Sequence, residues 1–444
     1  MENSKRSFFD SSFRYKKVIV RVFFTCLIFY LYSNIIIEFI PSLDKTIKAL
    51  RFVADILIIL VSFYSFRVES NRAIQLFIGV YLSLSMFTFA INANEVSLST
   101  HFNGLREPLV FLCTLAFYNY LFNAENFLPL IKRFNKFLLF FAVTQIPFAL
   151  NQFVIYGAGD FVGGTFSKGG SGILTISLSI LVFYFLLNYS SDLHFNKIKA
   201  TRMIWLFVLL IPVFINETKI SVFILTAMFA LLVINKGQIF LTIISSITGI
   251  IILVLFAYVY DGVSQGQDQV GGENKLTQFF SYDFIYEYTF AGDQNYFSEN
   301  DIPRFYKMVL LYEVVYKDPL VVLFGKGYGV FKGQNFLGVN NDAQIKYWHI
   351  YRGSKTMITT AILQGGVFLL VILLIAIFYF LFKDIRSSRH FNFLRFRIFL
   401  IFIFIVLVVY NDSIFVNYIS VFYSYFIMFA FNEEKILQAM MNNN

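Results

Sequence analysis

The stretch KYWHIYRGSK, residues 346–355, sets a histidine, an arginine and two lysines among three aromatic rings, directly before a long apolar run. The chain has four histidines, and His349 is the one placed to take up or release a proton near neutral pH beside other chemically active groups. Arg352 and Lys355 next to it carry permanent positive charge. Further cations open other apolar runs: Arg106 beside Glu107, Lys168, Lys219, and Arg304 at the start of a periodic segment. Such a cation costs roughly 2.5–3.5 kcal/mol at a bilayer centre and less near the interface, so it either snorkels to water or meets an anion. Several on one face suit a lipid-linked pyrophosphate, whose charge lies at headgroup level and which an arginine can clamp through two parallel hydrogen bonds. His349 then reads either as a base for an attacking hydroxyl or as one member of an interfacial aromatic belt with Tyr347, Trp348 and Tyr351. Glu107 and Glu217 stand close in sequence to Arg106 and Lys219 as counter-ions.

Other chemistries find little footing. The glycine-rich FGKGYG (324–329) lacks the Gly-Lys-Ser/Thr ending and the preceding buried strand of a phosphate-binding loop. It reads instead as a turn that brings the backbone close to a ligand or a neighbouring helix. The histidines are scattered and no Asp-x-Asp occurs, so no metal site is expected, and Asp301 in ENDIPR fits a helix N-cap better than a ligand. Cys26 and Cys113 both fall in apolar runs and read as packing residues.

The elements that must position these residues are membrane helices. The 444-residue chain is 58% hydrophobic and only 14% charged, against about 25% charged in soluble domains. Apolar runs long enough to cross roughly 30 Å of hydrocarbon recur throughout, and an open sheet could not satisfy its backbone there. The expectation is an all-α polytopic membrane protein with twelve spans, at 18–37, 50–66, 73–91, 108–123, 137–156, 171–189, 203–215, 219–235, 239–258, 356–382, 396–410 and 413–431. The basic start runs into a full-length apolar span with no small-residue cleavage pattern, so the first span should stay as an anchor. With the N-terminus inside, the inner segments hold 21 Lys and Arg and the short outer loops six, which places both termini in the cytoplasm and accounts for the +9 net charge without nucleic acid. Three units follow: a nine-span bundle at 1–258, a large outer loop at 259–355, and a three-span bundle at 356–444. Within the loop, DIPRFYKMVLLYEVVY puts Phe305, Met308, Val309, Tyr312 and Tyr316 on one face, with Arg304, Lys307 and Glu313 away from it, as in an amphipathic helix at the membrane surface.

This order of features resembles the bacterial O-antigen polymerases of the Wzy type and the related O-antigen ligases. The matching elements are the turn before a middle span, INETKISVFIL, then Arg304, KDPL and FGKGYG in the large loop, and finally His349 ahead of TMITTAILQGGVF. The resemblance covers nearly the whole chain in architecture through short motifs. It implies a metal-independent, cofactor-free glycosyltransferase of the GT-C type that uses undecaprenyl-diphosphate sugars at the periplasmic side of the inner membrane. Arg106, Lys219 and Arg304, with Arg352 and Lys168, would hold the donor pyrophosphate, and His349 would activate the acceptor hydroxyl. Ile350 stands where ligases often carry Asn, and Lys219 where they carry Arg, which favours a polymerase over a ligase; the large outer loop at 259–355 speaks against a lipid-linked oligosaccharide flippase. A chain-length regulator and a flippase would be its partners.

Overall fold

The computed structural model describes residues 2–68, 71–124, 127–157, 159, 161–189, 207–216, 220–233, 247, 251, 307–308, 311, 317–330, 355–383, 385 and 391–441. Among these the chain is helical, without a strand. The helices are α1 (Glu2–Phe39), α2 (Asp44–Val68), α3 (Arg72–Asn92), α4 (Leu98–Asn123), α5 (Phe127–Tyr156), α6 (Ser171–Tyr189), α7 (Ile211–Ile215), α8 (Ile220–Val233), α9 (Pro319–Phe324), α10 (Met357–Phe382), α11 (Phe391–Tyr410), α12 (Asn417–Phe431) and α13 (Glu433–Met441). Five are long and apolar enough to cross a membrane: Val18–Phe39, Arg72–Asn92, Phe127–Tyr156, Met357–Phe382 and Asn392–Tyr410. Bulky apolar side chains such as Leu76, Phe140 and Ile405 cover their outer faces. The protein is a multi-pass helical membrane protein. The expected span at 239–258 lies outside the described residues apart from Ile247 and Ile251, as does most of the 259–355 loop.

Helix α4 is the axis of the bundle. From Leu105 to Phe122 it is buried almost all round, and it packs on α2, α3 and α12. A helix that is apolar on every face has no solvent side to present, so its neighbours must enclose it. Cys113 on α4 and Cys26 on α1 are both free and buried, as packing residues should be. The helix begins ten residues before the apolar run at 108–123. Ser97 caps it by accepting from the Thr100 nitrogen at 3.2 Å, and the turns from Leu98 to Glu107 extend it past the run. Pro108 within it cannot donate to the Gly104 carbonyl, and the missing side chain of Gly104 opens that same turn to close contact.

The FGKGYG segment fills that opening. A Cβ on Gly104 would lie 2.0 Å from the Gly329 nitrogen, and one on Gly329, at φ +77°, would lie 2.1 Å from the Thr100 carbonyl oxygen. On its other side the segment repairs a break in α10, where Gly366 departs from helical geometry at φ +70°. The Lys326 nitrogen donates to the Leu363 carbonyl at 2.7 Å, and the Gly327 nitrogen to the Gln364 carbonyl at 3.1 Å. A helix broken inside lipid leaves polar backbone groups without partners, and here the loop supplies donors for two of them. The turn expected to bring backbone near a helix therefore does so twice. Close by, Leu311 joins Val96, Val321, Val330, Ile362 and Leu363 in a small cluster, with Met308 against it. Lys307, expected away from the amphipathic stripe, is instead buried, because residues 307 and 311 share one helical face.

At the opposite end, two arginines of the stretch expected to act only as a topology signal are buried. Arg397 donates to the Ala430 carbonyl at 2.7 Å and to the Lys383 carbonyl, joining the ends of α12 and α10, and lies 3.5 Å from Glu433. Positive charge at two helix C-termini complements both dipoles and gives their terminal carbonyls a donor.

The glycine contact yields a paired expectation. Gly104→Ala forces backbone against backbone and should lower the melting temperature of detergent-solubilised protein, at a cost of at least the ~1–3 kcal/mol typical of overpacking. Gly79→Ala in α3, where a Cβ meets nothing within 4 Å, should stabilise by about 0.5–1 kcal/mol. Thermal unfolding of the two variants side by side checks both.

Candidate functional site: a buried ion pair and a re-entrant loop

Arg106 lies eight residues into α4, about 12 Å from its start at 1.5 Å per residue. Asp55 lies eleven residues into α2, about 16 Å from the start of that helix at the same end of the bundle. Tyr30 comes nine residues before the end of α1, about 14 Å from that end. The three levels agree within one helical turn, so the side chains meet. Arg106 Nη1 is 2.9 Å from Asp55 Oδ2, and the Tyr30 hydroxyl donates to Asp55 Oδ1. The Asp55 side chain is 2% exposed and that of Arg106 22%.

Further contacts orient the guanidinium. Arg106 Nε donates to the Asn103 carbonyl at 3.2 Å, and its Cζ lies 5.0 Å from the centre of the Phe52 ring. The Nη1 contact with Asp55 is an ion pair without an in-line hydrogen bond, so charge rather than N–H direction holds it. Nη2 makes no hydrogen bond among the described residues. One turn along α2, Arg51 Nε donates to Ser33 Oγ at 2.8 Å and Nη2 donates to Asn34 Oδ1. The partner of Arg106 is thus Asp55 and not its sequence neighbour Glu107, because adjacent residues point about 100° apart around a helix. Nor does Arg106 snorkel to water: its head group turns inward to the carboxylate.

Lys168 behaves differently. It is exposed, and its Nζ stands 3.8 Å over the Tyr156 ring at the end of α5, the geometry of a snorkelling side chain resting on an aromatic face. The loop that carries it folds back into the bundle. Val162 to Phe166 are buried, and the 3-10 turn Gly164–Phe166 packs against α1 and α5. Gln152 Oε1 accepts from the Gly163 and Gly164 nitrogens at 3.0 and 2.8 Å, while its Nε2 donates to the Gly164 carbonyl and to Glu38 Oε2. One further stretch along α5, Gln145 Oε1 accepts from the Thr165 nitrogen at 2.9 Å, and Nε2 donates to Thr165 Oγ1 at 3.0 Å. Gln145 precedes Tyr156 by eleven residues, which carries the loop about 16 Å down α5.

His349, Lys219, Arg304 and Arg352 lie outside the described residues. His101 does not: it is buried between Phe89, at 4.9 Å between ring centres, and Tyr328 of FGKGYG, at 5.3 Å. Among the described residues no group of three or more His, Cys, Asp or Glu side chains is arranged to hold a metal ion. Asp55, Tyr30 and Arg51 were missed by reasoning from charged span mouths. An acid in the middle of the apolar ADILIILV was the available signal, since an ionisable residue within a span is costly and is usually kept for function.

No protein family, curated protein or solved structure matches the chain. Chemically, the pair offers one guanidinium edge, held from behind by a buried carboxylate and partly open on the other side. That arrangement suits an anion arriving from the open side.

The glutamine clamp makes a direct prediction. Gln152→Leu leaves the Gly163 and Gly164 amides buried without their acceptor, at about 1–3 kcal/mol each, and should lower the melting temperature markedly. Tyr32→Phe, which removes a single half-buried hydrogen bond to Thr144, should cost only about 0.5–1.5 kcal/mol in the same assay.

Proposed function

We propose that the chain is a surface-polysaccharide polymerase of the bacterial inner membrane, working on its outer face through twelve spans with both termini in the cytoplasm. It joins oligosaccharide repeats carried on undecaprenyl diphosphate. The hydroxyl of the non-reducing sugar on a fresh lipid-linked repeat attacks the anomeric carbon of the polymer. The bond from that carbon to the diphosphate oxygen breaks, the diphosphate leaves with the bonding pair, and the acceptor proton passes to His349. Cations take the role that a divalent metal has in other transferases, because fixed positive charge at the departing diphosphate stabilises charge as it develops.

The observation that carries this reading is Arg106. An arginine at the edge of an apolar run, drawn inward to a buried carboxylate and left with one partly open edge, suits an anion reaching that edge, which supports the reading. Lys219, Arg304, Arg352 and Lys168 are assigned to the same diphosphate on the strength of the resemblance, and the charge asymmetry of the loops supports the orientation.

The test is polymer chain length by gel in cells lacking the gene and rescued with each variant, with membrane levels matched. Arg106→Ala and His349→Ala should both yield single-repeat product in place of a ladder, while Lys132→Ala, on the inner side, should restore the full ladder. Wild-type ladders from well-inserted Arg106→Ala and His349→Ala would sink the proposal.

A further inference from the structure

We infer that Asp55, with Tyr30 as its second partner, is the positioning residue of Arg106: it fixes the guanidinium so that the open edge faces the incoming diphosphate. The inference rests on the reading of Arg106 as a diphosphate ligand. Each carboxylate oxygen has its own partner, Oδ1 the Tyr30 hydroxyl and Oδ2 the Arg106 guanidinium, so the acid is itself oriented before it orients anything else. The difference in exposure, 2% against 22%, puts the carboxylate on the closed side and the guanidinium on the open one. Asn103 holds the Nε edge and the centre of the Phe52 ring lies 5.0 Å from Cζ, so the head group has two further neighbours that limit its movement.

A free arginine has a long flexible stem and would follow its charge to water. Loss of rotamer freedom at the moment of binding would then weaken the grip on the diphosphate. A side chain already locked in place makes no such loss, which is the advantage of preorganisation, and an error of about 1 Å in placing a charged group can cost on the order of 100-fold in rate.

The inference is tested with purified full-length protein in proteoliposomes supplied with a synthetic undecaprenyl-diphosphate-linked repeat, reading kcat/KM per folded protein alongside melting temperature. Asp55→Asn should lower kcat/KM by about tenfold or more, and Asp55→Glu should recover most of it. Tyr30→Phe keeps both charges and should give a smaller fall with little change in melting temperature. The exchange Asp55→Arg with Arg106→Asp should bring the melting temperature back towards wild type yet leave polymerisation as low as in Arg106→Ala. Wild-type kinetics in Asp55→Asn and Tyr30→Phe, with Arg106→Ala inactive, would overturn the inference and leave the proposed function standing. An exchange variant that regains both stability and polymerisation would overturn it too, because the pair would then be a structural contact alone. An active, well-inserted Arg106→Ala would instead sink the functional reading itself. If Asp55→Asn does not insert, Tyr30→Phe decides, since it leaves the ion pair intact.

Discussion

Inside a bilayer every backbone N–H and C=O must find its partner within the protein, and the architecture follows from that constraint. Unbroken helices meet it without help. The informative places are those where the chain departs from helix and another part of the molecule completes the hydrogen bonds. The loop after α5 descends into the bundle on the side chains of Gln145 and Gln152, which act as substitutes for a missing helical neighbour. The break at Gly366 in α10 is closed by amides of FGKGYG. The carbonyls at the ends of α10 and α12 are met by one guanidinium, that of Arg397. In each case a polar side chain or a glycine-lined loop that looks out of place in an apolar sequence is where irregular backbone is made tolerable.

Charge obeys a stricter form of the same rule. Breaking a buried pair costs roughly 3–5 kcal/mol, whereas replacing both partners with well-packed apolar groups is often neutral. A buried Asp–Arg pair is therefore weak evidence for stability and better evidence for use. Arg397 and Glu433 sit among helix ends, where their hydrogen bonds account for them. Asp55 and Arg106 lie within their helices and not at helix ends, so capping does not account for the pair. Part of the Arg106 guanidinium remains open, and a purely structural pair would gain by closing it.

Much of the bundle was legible in the sequence, because long apolar runs in a membrane permit few structures. The expected spans at 18–37, 73–91, 137–156, 171–189 and 356–382 correspond to α1, α3, α5, α6 and α10 within several residues at the C-terminal ends and somewhat more at some starts. What hydropathy could not show is which helix is central. Helix α4 has an arginine, a glutamate and a proline at the edge of its apolar run and reads as ordinary, yet it is enclosed almost all round from Leu105 to Phe122. Its centrality comes from contacts with helices distant in sequence, such as Thr114 donating to Ser424 at 2.8 Å, and no local pattern encodes those. The fold of residues 157–170 was hidden for a similar reason. Glycines predict a turn but not the direction it takes, and that direction is set by glutamines on the preceding helix whose purpose is visible only in three dimensions.

The candidate site was half legible. Arg106 was singled out as a cation at a span mouth, and it is part of the charged centre, but the selection rule looked along the rim and passed over the acid behind it. Counter-ions were sought next door in sequence, at Glu107, whereas a helix turns its neighbours away and brings together residues from separate helices at one depth. Asp55 in ADILIILV was visible as an anomaly without any structure. Read by cost, a carboxylate in an apolar run demands a cation from another helix at its own level. Among the cations on helices packed against α2, Arg106 on α4 meets that demand.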